Sequence, residues 1–88
     1  MNITVKASVE LKEGYTIEEV KADFEVAFNE YLKGVTDELV YSKVYGLMVN
    51  MVGVGDITSL TVNDSTSNIT IAEDKIINLS SVELSEVF

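Results

Sequence analysis

Ile3-Thr4-Val5-Lys6-Ala7-Ser8-Val9-Glu10-Leu11 alternates apolar and polar residues at every step, and a few residues on, Thr16-Ile17-Glu18-Glu19-Val20 opens a run with a different period. Alternation of period two is the mark of a half-buried strand, because successive side chains of an extended chain point to opposite faces. Ile3, Val5, Ala7, Val9 and Leu11 form the face that seeks a core. Beyond Gly14, the apolar residues Ile17, Val20, Phe24, Ala27, Phe28 and Tyr31 recur every three to four positions, within an arc of about 100° at helical pitch, the width of one core-facing stripe. A strand followed by an amphipathic helix is the opening of an α+β fold, and the segments downstream complete it.

The helix carries its own start and stop signals. Thr16 and Glu19 form a capping box, Thr16 at the N-cap and Glu19 at N3 reaching back to the N-cap amide, and Tyr15 and Val20 stand where a hydrophobic staple closes. Glu18, Glu19, Asp23, Glu25 and Glu30 occupy the outer face. Val26 lies opposite the stripe as a single exposed apolar residue. Lys33 suits the negative end of the helix dipole, and Gly34 is placed to be the left-handed residue that ends the helix.

A second helix is predicted from an N-cap at Ser42 to about Val52, ending before the turn Gly53-Val54-Gly55-Asp56. Its apolar residues, Val44, Tyr45, Leu47, Met48, Val49, Met51 and Val52, spread over about 200°, so the helix is covered on two sides. Met48 lies near the centre of that arc and belongs to the core. Tyr45 and Val49 lie at its edge, where core and protein interface are equally good readings.

Downstream, Thr58-Ser59-Leu60-Thr61-Val62 alternates again, Asn63-Asp64-Ser65-Thr66-Ser67 is rich in turn formers, and Asn68-Ile69-Thr70-Ile71 answers as a second strand, predicting a hairpin. After a turn at Glu73-Asp74-Lys75, a last strand is expected from Ile76-Ile77-Asn78-Leu79 to Val82-Glu83-Leu84, interrupted around Ser80-Ser81. The order β-α-α-β-β-β predicts a two-layer α+β fold, a mainly antiparallel sheet with two helices on one face, in a single domain over residues 1–88. The chain launches into its first strand directly behind Met1, as a domain excised from a longer polypeptide would.

The composition excludes most chemistry. There is no histidine and no cysteine among the 88 residues, which removes the commonest general base, the usual metal ligands and any disulfide framework. With 15 acidic and 6 basic residues the net charge is −9, a surface that repels phosphate backbones and anionic membranes. Glu18 and Glu19 could be read as a catalytic carboxylate pair, but a helix N-terminus explains them better. The glycines at 53 and 55 follow a helix and precede a strand, the reverse of the order that presents helix amides to phosphate. The oxygen-rich stretch from Asn63 to Asn68 lacks the glycine and terminal glutamate of a calcium loop. No run reaches the length of a membrane-spanning helix and no signal peptide is present, so a cytosolic, soluble origin is expected. No catalytic, cofactor-binding or metal-binding residue is assigned; the candidate interface residues are Tyr45 and Val49.

Two stretches carry a family likeness. Gly14-Tyr15-Thr16-Ile17-Glu18-Glu19-Val20-Lys21 is the first. Val40-Tyr41-Ser42-Lys43-Val44-Tyr45, leading through Val52-Gly53-Val54-Gly55-Asp56 to Leu60-Thr61-Val62-Asn63 and Asn68-Ile69-Thr70-Ile71, is the second. In order and spacing they resemble the C-terminal domain of the phage baseplate assembly protein J family, from about Val5 to Leu79. Members often carry an acidic-Ile-Pro stretch and then a glycine before the last strand, whereas Asp74-Lys75-Ile76-Ile77-Asn78-Leu79-Ser80 has neither proline nor glycine. The resemblance implies a structural piece of a contractile-tail baseplate, encoded by a phage or prophage and assembled in the bacterial cytoplasm. Its implied partners are other baseplate and tail subunits and copies of the full-length protein, with no nucleic acid, membrane or small-molecule substrate, and no catalytic residues. The rival reading is a small ligand-binding or regulatory α+β domain. That reading needs a pocket of convergent polar groups, and the sequence shows none.

Overall fold

The computed structural model describes residues 2–71 and 77–87. β1 (Asn2–Leu11) is followed by α1 (Ile17–Leu32), a two-residue strand β2 (Glu38–Leu39), α2 (Tyr41–Val49), β3 (Val54–Val62), a second two-residue strand β4 (Ile69–Thr70) and β5 (Asn78–Glu86). The α+β class and the order of the long elements are those the sequence predicts, with β2 added between the helices. The expected turn at Glu73-Asp74-Lys75 and the residue Ile76 lie outside the described residues.

β1 is the centre of a three-stranded sheet of order β3-β1-β5. Ile3, Val5, Ala7 and Val9 are buried, as the alternation requires, and they meet Phe24 and Phe28 of α1 and Val44 and Met48 of α2 in one core. Among the described residues that core holds no polar or charged side chain. The rings of Phe24 and Phe28 stack with centroids 5.4 Å apart. Thr4, Lys6 and Ser8 point to the opposite face, with Ser59, Thr61, Glu83 and Ser85 around them.

The sheet is mixed. β3 runs antiparallel to β1, whereas β5 runs parallel to it, with a register shift between Ile3↔Leu79 and Thr4↔Ser81 that leaves Ser80 bulged, where the sequence places the interruption. The direction of β5 follows from the fate of the expected hairpin. Asn63 and Asp64, at φ 50° and 62°, make a tight two-residue turn. Val62 and Ser65 close it with paired backbone hydrogen bonds of 2.9 and 3.0 Å. The ladder stops there. β4 does not pair with β3; it pairs antiparallel with β2, Glu38↔Thr70 and Leu39↔Ile69. That pairing lets Leu39 (0% exposed) and Ile71 (4%) join the core, which a ladder along the edge of β3 would forgo. Because β4 never travels back along β3, the chain leaves from the end where β1 begins, and the next full strand must run with β1.

Local signals are obeyed in part. Thr16 is the N-cap of α1, its Oγ1 accepting the Glu19 amide at 3.2 Å, but the reciprocal bond from the Thr16 amide to the Glu19 carboxylate is not formed. Gly34 does not adopt the left-handed conformation: the amides of Gly34 and Val35 donate to Tyr31 and Leu32 in tightened three-residue turns, which satisfy the end carbonyls without a positive φ. Gly14, at φ +90°, supplies the left-handed residue of the β1–α1 turn. α2 begins at Tyr41 and not at an N-cap on Ser42. The Tyr41 amide donates to Asn68 Oδ1 at 2.8 Å and the Val40 amide to Tyr31 Oη at 3.1 Å, so side chains remote in sequence do the capping. The helix ends at Val49, three residues short of the expected Val52, in turn bonds from Met51 to Met48 and from Val54 to Met51.

Candidate protein interface

α2 lies with Val44 and Met48, both 0% exposed, against the sheet, and its two flanks meet different surroundings. Tyr41, Tyr45 and Val49 follow one another at four-residue spacing, the spacing that stacks side chains along one face. The Tyr41 hydroxyl donates to the Leu60 carbonyl at 2.6 Å, so this flank overhangs the outer edge of β3. Burial holds the Tyr41 phenol above its ordinary pKa, and the neighbouring Tyr45 adds to the effect. The rings of Tyr41 and Tyr45 stand 6.4 Å apart at 44°, within the range of favourable tilted pairs. Tyr41 is half-buried; Tyr45 and Val49 remain 37% and 40% exposed, large apolar side chains left open to water.

Two residues extend this patch. Val52, just past the end of α2, is 63% exposed, and the next residue, Gly53, carries the ring of Tyr15 so closely that a Cβ there would come within 2.8 Å of it. Tyr15, placed by the sequence as a staple to Val20, thus sits over the α2–β3 turn and is itself 38% exposed. Nothing in the local sequence signals this, since the approach depends on the Lys12 amide bonding the Gly53 carbonyl at 2.8 Å across the sheet. Val26, 68% exposed on α1, is isolated, as its position opposite the stripe predicts.

On the other flank of α2, Leu47 and Met51 face Tyr31 of α1 across an open, largely apolar groove of about 390 Å³, with Lys43 and Asn50 at its margin. From Val40 to Gly55 the only charged residue is Lys43, although the chain as a whole carries a net charge of −9. The surface around α2 therefore combines tyrosine, methionine and valine with a near absence of charge, the composition that marks the centre of protein–protein contacts.

Among the described residues, no group of three or more acidic, histidine or cysteine side chains is arranged to hold a metal ion. In the stretch from Asn63 to Asn68, both asparagines spend their side-chain oxygens on the backbone: Asn63 Oδ1 accepts from the Thr4 amide at 2.8 Å, and Asn68 caps α2. No helix among the described residues is long and apolar enough to cross a membrane.

The model of the Baseplate J-like protein C-terminal domain family matches residues 2–85, and the chain belongs to that family, one of phage baseplate structural proteins. No curated protein matches the chain.

Proposed function

We propose that the chain is a structural module of a phage or prophage contractile-tail baseplate, the C-terminal domain of a longer protein, and that it works by presenting the Tyr45–Val49 flank of α2 to a neighbouring subunit. The observation that carries the proposal is that Tyr45, Val49 and Val52 are left exposed in a stretch, Val40 to Gly55, that holds no acid although the chain as a whole is acidic. Removing such a patch from water favours association, at about 25 cal/mol per Å² of apolar surface, without an opposing cost of desolvating charge. The partners are other baseplate and tail subunits and copies of the full-length protein, the module performs no reaction, and its place is the tail baseplate of the virion, assembled in the bacterial cytoplasm. Neither nucleic acid nor a membrane is engaged.

Val49→Asp tests this. The side chain is already 40% exposed, so the substitution is expected to leave the isolated domain folded by circular dichroism. In the full-length protein it places an unpaired charge in a contact that excludes water, and size-exclusion chromatography should show weakened association. Unfolding of the isolated domain would show instead that this flank is core, and normal association would remove it from the interface.

A further inference from the structure

The three-stranded sheet has two outer edges, and they differ. Along β3, the Leu60 carbonyl is taken by the Tyr41 hydroxyl and both backbone groups of Val62 are taken by Ser65. Two register shifts against β1 further disrupt that edge. These are the devices that keep a foreign strand from adding to a sheet. β5 has a different situation: among the described residues it pairs with β1 alone. The Val87 amide donates to the Val9 carbonyl at 2.8 Å, and Val9 is aligned with Glu86. In a parallel ladder that bond turns Ser81, Glu83, Ser85 and Val87 toward β1 and leaves the amides and carbonyls of Val82, Leu84 and Glu86 directed outward.

The side chains say what could pair there. Val82 is buried on the helix side and Leu84 is half-open at the rim, while Ser81, Glu83 and Ser85 are exposed. Lys6, on β1, lies 3.9 Å from Glu83 and 3.5 Å from Asp64, so it is shared between two acids. β5 itself contains no lysine or arginine to answer Glu83 and Glu86, and two copies of a chain of net charge −9 repel, which disfavours pairing of β5 with β5.

We propose that the free edge of β5 accepts an extended segment of a different protein, one that sets apolar side chains beside Val82 and Leu84 and lysine or arginine beside Glu83 and Glu86. This rests on the reading of the chain as a subunit of an assembly. It adds a second contact, separate from the α2 flank.

Hydrogen exchange read by mass spectrometry on the isolated chain and on purified tails is the test. In the isolated chain the outward amides exchange freely; in tails the segment from Ser80 to Val87 should exchange more slowly by about tenfold or more. Glu86→Pro removes an outward donor while leaving the bonds to β1, and Glu83→Lys with Glu86→Lys reverses the charge. Both variants should keep the dichroism of the parent and enter tails about tenfold less efficiently. Unchanged exchange in tails, or normal incorporation of either variant, overturns the proposal. Absence of the chain from purified tails would instead overturn the baseplate reading, and this inference with it.

Discussion

Met48 and Tyr41 sit seven residues apart on α2 and hold it to the sheet in different ways. Met48 is fully buried among β1, α1 and β3 residues, so Met48→Ala should cost about 2–5 kcal/mol, a large part of the 5–15 kcal/mol that typical domains possess. Urea denaturation followed by circular dichroism would read it. Tyr41 contributes through its hydroxyl, and Tyr41→Phe should cost about 0.5–1.5 kcal/mol near neutral pH by leaving the Leu60 carbonyl without that donor. The same residue makes a pH prediction. Its pKa is raised in the folded state, chiefly by burial, so the fold favours the protonated phenol. The associated stability is fully present below the ordinary value of 10.0 and is lost as pH rises through the higher folded value. The denaturation midpoint of the parent should therefore fall more steeply above that pH than that of Tyr41→Phe. Equal slopes would show that the phenol ionises without affecting the fold.

Among the elements, α2 depends most on distant parts of the chain. With no side-chain cap of its own at Val40, its first turn relies on Asn68, which reaches the Tyr41 amide from the loop before β4. Asn68→Ala should cost about 1 kcal/mol, as the loss of an N-cap does, and it should loosen the β2–β4 pair together with the helix. Faster amide exchange at both Tyr41 and Ile71 in the variant would confirm the coupling, since the Ile71 amide donates to the Asp37 carbonyl in that small sheet. Exchange quickened at only one of them would separate the two elements. α1 needs no such help, because Thr16 stands beside the turn it caps.

At the scale of the whole molecule, charge and composition govern. A chain of net charge −9 with no arginine and 6 lysines cannot build a phosphate-neutralising stripe, and no binding to duplex DNA is expected near physiological salt by fluorescence anisotropy. With no histidine, cysteine or calcium-loop spacing in the sequence, no linkage of folding to a metal ion is expected, and addition of EDTA should leave the melting temperature unchanged. A saturable anisotropy change or a drop in melting temperature would contradict these expectations.

The amino-acid sequence alone determined the periodic elements of this protein. The alternation from Ile3 to Leu11 specified which face of β1 is buried, and the stripe from Ile17 to Tyr31 specified how α1 lies, because a long run of one period leaves a single way to bury its apolar side. Tyr45 and Val49 were legible as the margin of an arc too wide for one contact, but whether they were core was not. Tertiary structure decided that, since the width of the sheet sets how much of α2 is covered. It also decided the parallel course of β5, the diversion of β4 to β2, the cap from Asn68 and the placement of Tyr15 over Gly53. Each of these depends on a partner far away in the chain, and local propensity is blind to a partner that only the completed fold brings within 3 Å or so.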